Sequence, residues 1–129
     1  MSDMFCFQCE QTAGGKGCTR MGVCGKKPEV SRLQDEITAG LITLARALEG
    51  KPACPACAAL FEDALFMTVT NVNFDPAPLT AMRDRILAAA AQAGGAPAFR
   101  ADDLFHGDTD IVSLRSTLLF GLRGMAAYA

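Results

Sequence analysis

The sequence predicts an all-α domain, a small helical bundle of about four helices preceded by a cysteine-rich cluster-binding loop. Three observations predict it. Four segments carry apolar residues at the three- and four-residue spacing of a helix face, and none alternates with the period of two that a half-buried strand needs. Residues 1–30 follow neither period and hold four of the six cysteines and five of the twelve glycines. The 129 residues suit one domain, 1–129, with the loop over 1–30 and the bundle over 31–129.

The first helix is expected to begin on a capping box of Ser31 and Gln34, with Leu33, Ile37, Leu41, Leu44 and Leu48 on one face and an end at Gly50 and Pro52. Gly40 lies on that stripe, where a missing side chain lets another helix approach. The second helix opens near Pro55, because proline suits a first helical turn, and carries Leu60, Phe61, Ala64, Leu65, Thr68 and Val69. Turn chemistry over Asn71-Val72-Asn73-Phe74-Asp75-Pro76 leads to a third helix with Leu79, Met82, Ile86, Leu87 and Ala90, which stops at Gly94-Gly95. Residues 96–108 read as a connecting loop. The last helix starts near Asp110 with Ile111, Leu114, Leu118, Leu122 and Met125 on one face. A shift of 81 residues superposes the first helix on the last, Gly40 on Gly121 included. The match reflects either a common apolar stripe or the same close packing at both glycines.

Net charge is −2 with both signs scattered along the chain, so no basic face offers itself to nucleic acid. No arginine-rich leader or export signal is read, and apolar stretches are interrupted before the roughly 20 residues of a membrane span. A cytoplasmic protein is the expectation. In that reducing setting six cysteines point to metal or redox chemistry rather than to disulfides, and none of them lies beyond position 57.

Cys6, Cys9, Cys18 and Cys24 stand in a C-x2-C-x8-C-x5-C spacing. A cubane cluster needs four thiolates aimed at the corners of one small body, and a tight C-x2-C pair supplies two of them. The glycine-rich excursion from Thr12 to Gly17 lets the backbone turn before Cys18. Phe5 and Phe7 are placed to shield such a cluster from water, and nearby amides to hydrogen-bond its sulfurs. Zinc remains a rival for four thiolates, although zinc sites usually show two short-spaced pairs. The Gly-Lys pairs at 15–16 and 25–26 lack the remaining residues of a phosphate-binding loop.

The stretches Met4 to Ala13 (MFCFQCEQTA), Gly17-Cys18-Thr19 and Gly22 to Lys26 (GVCGK) resemble the amino terminus of the hybrid cluster (prismane) proteins, known as hydroxylamine reductases. The likeness continues through Leu33-Gln34-Asp35, Leu65 to Asp75 (LFMTVTNVNFD), Leu114-Arg115 and Gly121 to Tyr128 (GLRGMAAY). The resemblance implies that Cys6, Cys9, Cys18 and Cys24 are ligands of the proximal cluster. It also implies a [4Fe–4S] cofactor, since the compact spacing accompanies that type and a longer one [2Fe–2S], and it likens the helices to the family's first, all-α domain. The family's catalytic hybrid cluster is bound by His, Glu and Cys residues of later domains, which this sequence does not contain. Its single histidine, His106, matches no ligand position, so reductase activity is not carried over.

Cys54-Pro55-Ala56-Cys57 has no counterpart placed in the family. At the start of the second helix, where free amides stabilise a thiolate, it reads as a redox-active dithiol, as half of a metal site completed by a second chain in a homodimer, or as ligands of an additional cluster. Against these stands a plain helical turn with Cys57 as a small hydrophobe. Glu10, Asp35, Glu36, Glu62 and Asp63 read as solvated charges, and Met67, Met82 and Met125 as core. The preferred function is electron transfer through one cluster to or from a redox partner protein. The alternatives are a subunit or truncated form of a hydroxylamine or nitric oxide reductase completed by another chain, and an iron–sulfur redox sensor.

Overall fold

The computed structural model describes residues 3–69 and 73–129. Four helices carry the fold: α1 over Pro28–Leu48, α2 over Pro55–Met67, α3 over Pro76–Gln92 and α4 over Thr109–Tyr128. Short 3-10 turns lie at Ala13–Gly15 and Ala101–Leu104. Among the described residues the only β pairing is an isolated antiparallel bridge between Cys6 and Cys18, so the all-α expectation holds. Thr70 and, of the expected turn before α3, Asn71 and Val72 lie outside the described residues.

Proline and aspartate set the helix starts. Pro28, Pro55 and Pro76 each occupy the first turn of a helix, where a missing N–H costs nothing. Asp75 caps α3 by accepting from the Ala77 amide at 3.0 Å, and Asp108 caps α4 by accepting from Asp110 and Ile111. The Ser31–Gln34 capping box does not form. Because Pro28 already supplies the entry geometry, α1 begins three residues earlier, and Ser31 and Gln34 are buried inside it.

The core is built on α1. Val30, Leu33, Ile37, Leu41 and Leu44 pack with Leu60 and Ala64 of α2 and with Leu79, Met82, Ile86 and Ala90 of α3. The stripes expected for α1, α2 and α3 face the core, with Leu48, Phe61 and Leu65 partly buried; Thr68 and Val69 lie just past the end of α2, and Leu87 is exposed on the outer side of α3. Gly40 sits where α3 crosses: a Cβ there would lie 3.1 Å from Ile86 Cγ2, and Ile86 is fully buried. Arg83 adds an ion pair across the same two helices, 2.8 Å from Glu36.

The last helix departs from the sequence reading. Its expected core face is its outer face: Ile111, Leu114, Leu118 and Met125 are 54 %, 68 %, 64 % and 70 % exposed, and Leu122 is also exposed. The face that packs instead carries half-buried Val112, Ser116, Leu119, Arg123 and Ala126. Polar anchors hold it. Arg123 donates to the hydroxyls of Thr68 on the α2 C-cap, at 2.9 Å, and of Thr38 on α1, at 3.1 Å. Each hydroxyl commits its own proton to a helix carbonyl, Leu65 or Gln34, and so is free to accept from the guanidinium. Gly121 has nothing within 4 Å of where its Cβ would be, so the two matched glycines do not share one packing role.

The two glycines separate by mutation. Gly40→Val forces a branched side chain onto Ile86 and is expected to destabilise the chain by about 1–3 kcal/mol. Gly121→Ala meets no neighbour and is expected to leave stability unchanged or raise it by up to about 1 kcal/mol through helix propensity. Urea midpoints of the two variants against wild type check both.

Candidate metal centre

The cysteine loop is closed by backbone before any side chain is considered. Cys6 and Cys18 exchange two hydrogen bonds, at 3.1 and 2.8 Å, and the Asp3 and Met4 amides donate to the Thr19 carbonyl. Thr12 ties the excursion back by donating its hydroxyl to the Cys6 carbonyl at 2.9 Å. Two glycines are sterically required. A Cβ on Gly17, whose φ is +152°, would fall 2.5 Å from the Phe5 ring, and one on Gly22 would fall 2.9 Å from Lys26 Cβ and 3.1 Å from Cys24 Sγ.

Hydrogen-bond donors collect around the sulfurs. The Ala13 amide donates to Cys18 Sγ at 3.5 Å, with the Thr12 hydroxyl 3.6 Å from the same atom. The Ala13 amide, then the Val23 amide and Thr12, hold the Cys18 thiol below its ordinary range. Lys26, only 1 % exposed, directs its ammonium at Cys6 Sγ, 3.6 Å away. A buried ammonium is costly unless an anion faces it, so this lysine fits a thiolate at Cys6. Arg123 also lies near Cys6 and Asp35. Burial lowers its affinity for its proton, and those two neighbours oppose the effect.

Phe5 and Phe7 stack on each other and against Phe105, with ring centroids 5.0–5.7 Å apart, and Phe7 also meets Phe120 of α4. These rings, with Cys6, Asp35 and Arg123, line one pocket. The sequence indicated the first two aromatics as a shield but not Phe105 or Phe120, which come from distant segments. Lys26, Asp35 and Arg123 were likewise missed as part of the site. Asp35 is a half-buried carboxyl facing Lys26 and Arg123 rather than a solvated charge.

The four expected ligands are not equivalent in the structure. Cys6 and Cys18 are held side by side, Cys9 is half-buried at the turn that follows Cys6, and Cys24 is exposed. Among the described residues no three or more His, Cys, Asp or Glu side chains converge on a metal-sized site. What fits an iron–sulfur group is the chemistry around them: sulfur-directed amides, a buried cation on Cys6 and an aromatic wall. His106 is exposed, with its ring engaging the Asp102 carbonyl. Met125 is exposed rather than core, whereas Met82 is buried and Met67 packs against the core.

Residues 4–129 match the Prismane/CO dehydrogenase family. The chain belongs to that family. It is 41 % identical over 165 aligned positions to the hydroxylamine reductase of Syntrophobacter fumaroxidans, covering 98 % of this chain and 30 % of the relative. The hydroxylamine reductase of Solidesulfovibrio magneticus is also 41 % identical, over 98 % of this chain and 29 % of its own length. That of Moorella thermoacetica reaches 53 % identity over 56 % of this chain and 18 % of its own. The chain therefore spans about 30 % of the length of the first two of these relatives. The aligned span exceeds the chain's 129 residues, so these two relatives carry extra positions inside the shared region. No helix among the described residues is long and apolar enough to cross a membrane.

Burial pushes the Asp35 carboxyl up from 3.8 to about 7, against the opposing pull of Lys26 and Arg123. The folded chain thus holds this proton more tightly than the unfolded chain. The associated stability is fully present below pH 3.8 and is lost as pH rises towards 7. Asp35→Asn is expected to remove this loss, so that the cluster-free variant exceeds wild type by about 2 kcal/mol at pH 8 and matches it near pH 4. Urea unfolding at the two pH values reads the difference.

Proposed function

We propose that the chain holds one [4Fe–4S] cluster on Cys6, Cys9, Cys18 and Cys24 and transfers single electrons to or from a partner protein. The observation that carries the reading is the buried Lys26 ammonium 3.6 Å from Cys6 Sγ, a charge that a thiolate-bound, negatively charged group beside it stabilises. The Ala13 amide on Cys18 Sγ and the aromatic wall of Phe5, Phe7, Phe105 and Phe120 support it. Bound in this loop, the cluster supplies a one-electron redox centre. The chain's own residues do the rest. Lys26 favours the more negative, reduced state, the amides spread the charge on sulfur, and the rings limit water.

Anaerobic purification with iron, sulfide and zinc analysis is expected to give about four irons and four sulfides per chain, with an EPR signal after dithionite reduction. Zinc without iron would sink the reading. Lys26→Met is expected to lower the reduction potential while keeping some cluster bound. An unchanged potential in the loaded variant would remove Lys26 from the account.

A second reading, a reductase subunit whose remaining domains come from further polypeptide, is favoured by one observation. The outer face of α4 exposes a continuous row, Ile111, Leu114, Leu118 and Met125, with no charged residue at those positions. The relatives that share this region have more than twice as much sequence elsewhere to cover such a face. On this reading the chain alone shows no turnover with reduced viologen and hydroxylamine. Leu114→Lys with Leu118→Lys is then expected to leave the stability of the isolated chain within about 0.5 kcal/mol of wild type. A loss of several kcal/mol would show that the row packs internally.

A further inference from the structure

The pair Cys54 and Cys57 takes no part in the site described above. It borders a groove with Leu48, Ala89 and Ala93, whereas Cys6 shares its pocket with Ser31 and Asp35. The stretch of α1 from Ser31 to Leu48 is roughly 25 Å long at about 1.5 Å per residue, so the pair stands at the other end of the bundle and cannot complete the four-cysteine loop.

The two sulfurs are joined as a disulfide, with Cα atoms 5.1 Å apart. The bond spans one turn of one helix. It ties no two elements together, which is the task of a structural staple. Its setting is that of an exchangeable pair. Cys54 is the N-cap of α2, and its Sγ accepts the Cys57 amide proton at 3.2 Å in the place where a serine or aspartate oxygen ordinarily caps. No acidic side chain occupies the first turn to oppose negative charge there. Both cysteines are half-buried, and Ala53, Pro55, Ala56 and Ala58 around them are exposed, so an incoming sulfur has a path. The helical-turn reading that buries Cys57 as a hydrophobe does not describe this arrangement.

We propose that Cys54 and Cys57 form a reversible dithiol–disulfide couple that exchanges with an external disulfide, with Cys54 as the attacking sulfur. In the reduced chain a thiolate at Cys54 keeps the Cys57 amide as a donor and adds the favourable end of the α2 dipole. It attacks one sulfur of the external disulfide, forming a mixed disulfide and releasing the other sulfur as a thiolate that takes up a proton. The Cys57 thiol gives up its proton and attacks Cys54 Sγ. The mixed disulfide breaks, and the second external thiolate leaves and is protonated. The external disulfide gains two electrons and two protons, and the chain ends with the Cys54–Cys57 bond. An external dithiol runs the same steps in reverse to reduce the pair.

The test uses the full chain, purified anaerobically and equilibrated in mixtures of reduced and oxidised dithiothreitol. The peptide carrying both residues is then quantified by differential alkylation and mass spectrometry. The expected result is interconversion of dithiol and disulfide as one two-electron couple, with iron and sulfide content constant across the range. A pair locked in either state throughout would overturn the proposal. Reaction with 5,5′-dithiobis(2-nitrobenzoic acid) then assigns the roles. Cys57→Ser is expected to accumulate a mixed disulfide on Cys54, about tenfold faster than Cys54→Ser accumulates one on Cys57. Equal or reversed rates would overturn the assignment of Cys54. Both variants are expected to fold, because serine at position 54 is itself an N-cap residue. Zinc or additional iron that disappears in the doubly substituted chain would instead establish a metal site and refute the couple. Because the readout is confined to this peptide, loss of the cluster reading would leave the outcome interpretable.

Discussion

One constraint organises the molecule: α1 is buried along most of its length, with Glu29, Arg32, Ala45 and Arg46 its exposed residues, and the rest must be covered. Twelve of its 21 residues are buried, and they include Ser31, Gln34, Thr38 and Thr43. An apolar neighbour suffices for the leucines and isoleucine, and α2 and α3 provide it. The polar residues require partners. Thr43 accepts the Phe99 amide at 2.9 Å, Thr38 accepts from Arg123 of α4, and Gln34 donates to the Asn73 carbonyl at 3.4 Å. Each bond fixes a segment that lacks a strong apolar claim on the core. The connecting loop is further held by Arg46 and Arg115 over the Phe99 ring. The hydrophobic effect places three helices; hydrogen bonds to α1 and to Thr68, with buried Leu104 and the phenylalanine contacts, hold the rest.

The same helix supplies the floor of the cysteine loop. Lys26 lies two residues before its first residue, Asp35 lies two turns along it, and Arg123 reaches the same region from α4. Two cations and one carboxyl beneath Cys6 leave a positive surplus in a half-buried place. Such a surplus is unfavourable in an empty protein interior and favourable against a thiolate-bound, negatively charged group. The lowered proton affinities of Cys18 and Arg123 and the raised one of Asp35 trace to one geometry: little water, sulfur acceptors and fixed donors.

The sequence made legible what depends on neighbours along the chain. The start of α2 follows from Pro55, the stops at Gly50 and Gly94 hold, and the core stripes of α1 to α3 face the core apart from Leu87, whereas Pro76, read as part of a turn, opens α3. The spacing of Cys6, Cys9, Cys18 and Cys24 marked the loop. Periodicity shows that a helix has an apolar face but not what covers it, and so α4 misled: Leu114, Leu118 and Leu122 face outward while Arg123 turns in. Lys26, Asp35 and Arg123 were illegible for a related reason. A charged residue in sequence reads as solvated until the fold shows what stands above it. Phe105 and Phe120 joined Phe5 and Phe7 across about a hundred residues, a distance over which no local pattern operates.

The α4 surface and the family relationship constrain each other. The relatives share this region, yet they carry extra positions within it and more than twice its length beyond it. The three-helix core closes without those positions, since Val30, Ile37, Leu44, Leu79 and Ile86 are essentially inaccessible in this chain. The cysteine loop likewise needs only α1, the 96–105 segment and one face of α4 to be held. The other face of α4 stays uncovered, and its row of Ile111, Leu114, Leu118 and Met125 is apolar. The helix is anchored through Arg123 on its packed face and exposes Leu114 and Leu118 on the other. The exposed apolar row therefore lies on the same helix that contributes Phe120 to the aromatic wall, so one helix carries both a wall of the cysteine loop and an uncovered apolar face.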